Sequence, residues 1–388
     1  MDTYRLSANI DLDAFWYNIS EIRRNISSDT MIMGVIKANG YGHGALKLAD
    51  TLVEAGSEWL GVASVDEGIE LRHHGIKLPI LVLGFTPWQQ YRELITYNIT
   101  PTIFSYEMAD EMNKIAREAS VVLDVHIKVD TGMGRIGFKS DDAIAQILKV
   151  KSLENLNMQG IFTHFACSDL KDKTSAHLQL SKFHQVIAGL KEKGIDIPIK
   201  HCSNSGAIID MPEANMDMVR PGISLYGLYP SDEVNHQRVQ LKPVMEIKSH
   251  IIFIKDLKKG SAIGYGSTFV TKRKTLVATI PAGYGDGYPR SLSNRGRVLV
   301  KGHSVPIIGR VCMDQLMVDI TDFDDIFLGD EVTLIGRDGD ERISVEEVAH
   351  MAGSFNYEFI CDVGRRVPRV YYKEQKKTDT IYYLFQEN

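Results

Sequence analysis

Met31-Ile32-Met33-Gly34-Val35-Ile36-Lys37-Ala38-Asn39-Gly40-Tyr41-Gly42-His43-Gly44 is an apolar run that stops on a lysine and breaks into glycines. A short apolar run bounded by turn formers reads as a buried strand. The next segment reads as a helix with one apolar face: Leu46, Ala49, Leu52 and Val53 recur at helical spacing within Gly44–Ala55. Moving outward, the same alternation repeats. Apolar runs stand at Leu60–Ala63, Pro79–Leu83, Ile99–Phe104, Val121–Val129, Met158–Thr163, Ile197–His201 and Met216–Val219, which with Met31–Ile36 makes eight. Helical patterns lie between most of them, among them Ser105–Ala119, Asp141–Val150 with Ser140 as its N-cap, and Thr174–Glu192. A further helix, Leu12–Ile26, precedes the first strand. Eight strand–helix alternations predict an α/β fold whose N-terminal part is a parallel (β/α)8 TIM-like barrel. A doubly wound open sheet is the competing arrangement.

After about residue 240 the texture changes. Short strands are expected at Val244–Ile254, Thr275–Ile280, Arg297–Val300, Val305–Ile308, Leu316–Ile320 and Glu331–Ile335, separated by Gly- and Asp-rich turns. Only Val345–Ala352 reads as a clear helix. The expected organisation is therefore a barrel over residues 1–240 and a mostly β domain over residues 241–388. That suits a chain of 388 residues, for which two domains are the first estimate.

Composition narrows the function. Apolar residues at 44% and charged residues at 24% are those of a globular protein, and the net charge of −6 without long basic runs argues against nucleic acid or an anionic membrane as partner. No stretch approaches the ~18 consecutive apolar residues of a membrane span. The first residues, MDTYRLSANIDLDAFWYN, lack the apolar core of a signal peptide. Cys167, Cys202, Cys312 and Cys361 are widely spaced without a CxxC, which predicts reduced thiols and a cytoplasmic protein. The histidines form neither HExxH nor a Cys/His ligand pattern, so no metal is expected, and no GxSxG elbow of a serine hydrolase occurs.

In a barrel of this kind the chemistry sits at the C-terminal ends of the strands. Lys37 follows the first, Lys128 and Asp130 close the fifth, His164 follows the sixth, His201 ends the seventh, and Arg220 follows the eighth. A lysine at a strand end can simply snorkel to water. Partly desolvated, its amine becomes a nucleophile suited to a Schiff base with an aldehyde cofactor. The loops after strands seven and eight carry Ser205, Gly222 and Ile223, which with the Tyr41 hydroxyl could cradle a phosphate; ordinary capping is the plainer reading. Gly132-Met133-Gly134-Arg135-Ile136-Gly137 spells a dinucleotide fingerprint, but Glu154 stands only roughly where its acid should be, and the motif comes mid-chain. In the β domain, Gly264-Tyr265-Gly266 and Gly283-Tyr284-Gly285-Asp286-Gly287-Tyr288 put tyrosines on turns. A packed ring is the bland use of each. A phenol acting as acid or base would need a cation beside it, such as Arg135 or His164.

Taken together, Val35–Gly44, Lys128-Val129-Asp130-Thr131-Gly132-Met133-Gly134-Arg135-Ile136-Gly137, His201-Cys202-Ser203-Asn204-Ser205, Arg220-Pro221-Gly222-Ile223, Gly264-Tyr265-Gly266 and Val311-Cys312-Met313-Asp314 resemble, in order, the hallmark stretches of the alanine racemases. The likeness covers nearly the whole chain; Gly40 departs from the usual Ala. The resemblance implies an isomerase that interconverts L- and D-alanine with pyridoxal 5'-phosphate, supplying D-alanine for peptidoglycan of the cell wall, and working as a homodimer. Lys37 would hold the cofactor and act as one base; Tyr265 of the partner subunit would be the other. Tyr41, His164, His201, Asn204, Ser205, Arg220, Gly222, Ile223 and Tyr357 would surround the cofactor, Arg220 at its ring nitrogen. His164 would also hydrogen-bond Tyr265. Arg135, Met313 and Asp314 would meet the substrate, and Lys128, as a carbamate, would orient Arg135. Asp169, Tyr284, Arg290 and Arg310, with Tyr357, would line a narrow access corridor. A broad-specificity racemase and a pyridoxal phosphate-dependent amino-acid decarboxylase remain as alternatives. A pyridoxal-phosphate carrier without the second domain and a nicotinamide-dependent enzyme are more distant ones.

Overall fold

Eight parallel strands close on themselves in the computed structural model, which describes residues 4–385. They are Met31–Val35, Trp59–Val62, Ile80–Val82, Thr102–Ile103, Leu123–Asp130, Leu156–Phe162, Ile199–His201 and Met218–Val219. Parallel pairing runs along two arcs of these strands, and Met218–Val219 returns to pair with Met31–Val35. A parallel bridge from Leu81 to Thr100 and the Asp217 N to Lys200 O hydrogen bond link the two arcs. The closed ring decides between barrel and open sheet in favour of the barrel. Met33, Trp59, Leu81, Phe162 and Met218 fill its interior. Ser64 and Ser105 cap their helices by accepting from Glu67 N and Met108 N. Ser140 does not cap: its helix begins later, at Ala143 after Asp142, and Ser140 N instead bonds Asp130 O.

The chain separates into two compact units whose limits differ from a cut at residue 240. The barrel unit holds Ala14–Gly40 and Ala45–Lys242; the β unit holds Pro243 onward together with Tyr41–Gly44 and the described residues up to Asp13. The reason is a strand the sequence reading lacked. Leu6–Asp11 pairs antiparallel with Met245–His250 and parallel with Arg369–Lys373, at the centre of the large sheet. Tyr41–Gly44 is captured by the same unit: Arg369 Nε donates to Gly42 O (2.8 Å) and the Tyr371 hydroxyl to His43 O (3.1 Å). The expected strand Val244–Ile254 is two, Met245–His250 and Phe253–Leu257, in different sheets. The break falls at Ile251, whose N–H bonds Asp330 O. Val345–Ala352 is the expected helix, and a second, Asn356–Cys361, follows it. No helix among the described residues is long and apolar enough to cross a membrane.

Candidate active site

Lys37 leaves the first barrel strand half-buried, and the backbone immediately after it turns the unusual way. Ala38, Asn39, Gly40 and Tyr41 all have φ between 49° and 60°, a left-handed turn that costs a residue with a Cβ roughly 1–2 kcal/mol. Hydrogen bonds hold it: Ala38 N to Glu67 Oε1 (2.6 Å), Gly40 N to Ile36 O (2.8 Å) and Ala45 N to the Asn39 side chain (2.9 Å). Gly40 is the residue that tolerates this conformation best. A Cβ there would also press on Leu48 and the backbone of Ala45 at 3.1–3.3 Å.

Below the rim, burial sets the charges. Arg220 is 4% exposed, and its Nη2 donates to Thr163 O (2.8 Å) and Cys202 O (3.0 Å) while Nη1 reaches His201 Nδ1 (2.7 Å). Desolvation lowers its pKa to about 10, so it remains a cation at neutral pH. Desolvation, then the charge of Arg220, hold His164 and His201 far below the usual histidine range, so both are neutral. His164 is therefore not the cation expected beside a phenol. The ring of His201 stacks on Phe162 with centroids 4.7 Å apart. Lys128 is 3% exposed, with Nζ 4.7 Å from the Phe162 ring centroid and no hydrogen-bond partner among the described residues. Desolvation, Arg220 and Arg135 push its pKa well down, which favours the neutral amine. Arg135 stands exposed on the loop after Asp130.

That loop is not a dinucleotide cradle. Asp130 Oδ1 accepts the N–H groups of Gly132 (3.0 Å) and Gly134 (3.1 Å), so the amides a pyrophosphate would need already serve a carboxylate. Around the loops after strands seven and eight, Ser205 Oγ accepts from Gly222 N (3.0 Å) and bonds Ser224 Oγ (2.9 Å), and Ile223 opens a 3-10 turn. Asn204 is used structurally: its side-chain oxygen caps Ser205–Asp210 through Ala207 N and bonds Ser168 Oγ (2.7 Å). Asp169 backs onto Gly206 and accepts from Ser231 Oγ through its backbone carbonyl.

The β unit gathers the remaining candidates. The rings of Tyr41 and Tyr357 lie 6.3 Å apart. Tyr265 is 71% exposed, on a turn whose Gly266 lies against the Arg310 guanidinium. Tyr284 is exposed too, and only Tyr288 is the packed ring of the bland reading. The glycine-rich turn pins the Cys312–Asp314 loop: Tyr284 N and Gly285 N donate to Cys312 O (3.0 Å) and Met313 O (2.9 Å). Arg366 ties Asp314 (2.8 Å) to the buried Asp286 (2.7 Å), which also pairs with Arg5. Met313 and Asp314 remain exposed, and Arg290 is exposed nearby in sequence. Sequence reading missed Arg366, and it missed His126, a fully buried histidine whose Nδ1 is 2.9 Å from His201 Nε2. The missed signal was the alternation of the polar residues Asp124, His126, Lys128 and Asp130 inside one apolar strand, of which His126 and Lys128 are buried.

Comparison with known proteins agrees with this layout. The family model "Alanine racemase, N-terminal domain" matches residues 10–230, and "Alanine racemase, C-terminal domain" matches residues 244–371. The chain is 49% identical to an alanine racemase of Halothermothrix orenii over 94% of its length and 96% of that protein's. Among solved structures it is similar to an alanine racemase of Clostridium difficile 630, with TM-score 0.95, 41% identity and coverage of 99% and 100% of the two chains. It is similar also to one from Bartonella henselae with covalently bound pyridoxal phosphate, with TM-score 0.85, 30% identity and coverage of 95% and 99%.

Proposed function

The chain belongs to the alanine racemase family, and from that premise we propose that it interconverts L-alanine and D-alanine, with pyridoxal 5'-phosphate bound through Lys37. The observation that carries the reading is the pairing of a half-buried lysine at the barrel mouth with the buried cation Arg220. Within the barrel unit the residues fit such a cofactor: Lys37 offers an amine to hold the aldehyde, and Ser205, bonded to Gly222 N with Ile223 beside it, offers a hydroxyl on small-residue loops for the phosphate; Tyr41 and Tyr357 of the β unit would add phenol hydroxyls. Bound pyridoxal phosphate supplies the electron sink that makes the α-proton of an amino acid removable.

The chain's own residues then divide the work. Racemisation needs a base on each face of Cα, one to take the proton and one to return it. Lys37 Nζ serves one face, and Tyr265 of the partner subunit serves the other. A phenol that is 71% exposed on its own chain needs a second copy to shield it from water, which is the support for a homodimer with composite sites. Exposed Phe85 and Trp88, after the third barrel strand, add apolar surface for such a contact. Arg135 binds the substrate carboxylate. The neutral amine of Lys128 is the form that can add carbon dioxide, releasing a proton to give a carbamate that orients Arg135. His164 hydrogen-bonds the tyrosine, and Met313 and Asp314 close the substrate pocket. Asp169, Tyr284, Arg290 and Arg310 line the access corridor, whose tyrosines favour a methyl side chain. Arg220, a permanent cation, would sit at the ring nitrogen of the bound cofactor and disfavour a proton there, which would weaken the sink and favour return of the proton to Cα over side reactions. The product, D-alanine, suits synthesis of peptidoglycan in the cytoplasm.

Chiral chromatography after incubating the cofactor-loaded protein with L-alanine tests this. D-alanine should accumulate toward an equal mixture, and Lys37→Ala should abolish it. Release of carbon dioxide without D-alanine would instead identify a decarboxylase.

A further inference from the structure

A guanidinium can only donate hydrogen bonds. Arg220 Nη1 lies 2.7 Å from His201 Nδ1, so that nitrogen must accept. His201 is buried and neutral, so its single proton sits on Nε2. His201 Nε2 lies 2.9 Å from His126 Nδ1, which accepts in turn. Burial drives the His126 pKa down to about 3 against the opposing effect of Gln159, so His126 is also neutral and carries its proton on Nε2. That donor and the Gln159 Oε1 acceptor are both buried, and neither makes a hydrogen bond among the described residues.

The backbone is shaped around this arrangement. Val125 pairs with Met158 but His126 pairs with Gly160, which makes Gln159 the extra residue of a bulge in a parallel pair, where bulges are rare. A Cβ on Gly160 would fall 2.4 Å from the His126 ring.

We propose that His126, His201 and Arg220 form a one-way hydrogen-bond relay through the barrel interior, and that His126 is a positioning residue that fixes the direction in which Arg220 presents its remaining N–H groups. The proposal rests on the reading of Arg220 as the partner of the cofactor ring nitrogen. Without an acceptor at position 126, the Nε2–H of His201 is left buried and unpaired, and the ring loses the partner that holds its Nδ1 against Arg220. The guanidinium would then no longer guard the ring nitrogen, and transamination, in which the amino group of alanine stays with the cofactor and pyruvate leaves, would rise relative to racemisation.

Two variants separate positioning from bulk. His126→Asn keeps an acceptor where Nδ1 was; His126→Leu fills the space without one. In the holoenzyme, His126→Leu should raise pyruvate formed per D-alanine formed by roughly five- to tenfold, the scale of one lost buried hydrogen bond. His126→Asn should stay near the parent ratio. Neutron diffraction of the holoenzyme should place one proton on Nε2 of His201 and one on Nε2 of His126. A proton on His201 Nδ1, a doubly protonated His126, or a parent ratio retained in a folded His126→Leu overturns the relay. A parent protein that racemises nothing overturns the functional reading instead, and leaves the proton positions to decide the relay alone.

Discussion

A single buried arginine decides how the candidate site distributes charge. Arg220 keeps its charge because two carbonyls and a neutral histidine solvate it in place of water. The same charge, behind burial itself, keeps His201 and His164 unprotonated and lowers the pKa of Lys128. Exchanging it for a carboxylate should invert that logic. Arg220→Glu is expected to raise transamination per turnover while lowering racemisation, measured as pyruvate against D-alanine, and an unchanged ratio would count against a role in tuning the cofactor. Lys37 and Arg220 were legible because each ends an apolar run, where a barrel places its chemistry. His126 was not, because a lone histidine inside an apolar run looks like core; only the partner strand, with its bulge and its Gly160, reveals what it faces.

The left-handed turn after Lys37 shows what an element adds to the residues in it. Ala38, Asn39 and Tyr41 adopt a conformation that none of them prefers, held by Glu67 and Ile36 and by the side chain of Asn39. Gly40 lowers the cost of that turn. Gly40→Ala should therefore destabilise the fold by about 1 kcal/mol in denaturant unfolding, without abolishing racemisation. A stabilised variant would mean that the turn is not left-handed at this position. The eight barrel strands could be read because each is an apolar run, most with a helix after it. Leu6–Asp11 could not, since both of its partners lie more than two hundred residues away and its own alternation is short. The expected Val244–Ile254 strand failed for a related reason: no turn former interrupts it, and only pairing with two different sheets divides it.

Across the whole molecule, three histidines are held neutral by desolvation, His126, His164 and His201. In the unfolded chain each would titrate near ~6.5. Their folded pKa values lie below that, so the unfolded state binds more protons once the pH drops under about 6.5. Stability is then lost progressively as pH falls from that point toward the folded values, reaching about 3 for His126. Urea unfolding between pH 7 and 5 should show this fall, with a shallower slope in His126→Asn; identical slopes would contradict a neutral His126. The proposed site residues are divided between the two compact units. Lys37, Lys128, Arg135, His201 and Arg220 lie in the barrel unit, and Tyr265, Met313 and Asp314 in the β unit. The family resemblance supplied the idea that Tyr265 acts on another copy, which no local pattern could have revealed.

Mixing Lys37→Ala protein with Tyr265→Phe protein tests that composite site most directly. Each variant alone should be inactive. After subunit exchange, the hybrid dimer has one site with intact Lys37 and intact Tyr265, so D-alanine formation from L-alanine should return to about a quarter of the parent rate in an equal mixture, as statistical pairing of two-site dimers requires. Activity that stays at the level of the separate variants, although exchange is proven by tagged subunits, would contradict a base contributed by the partner.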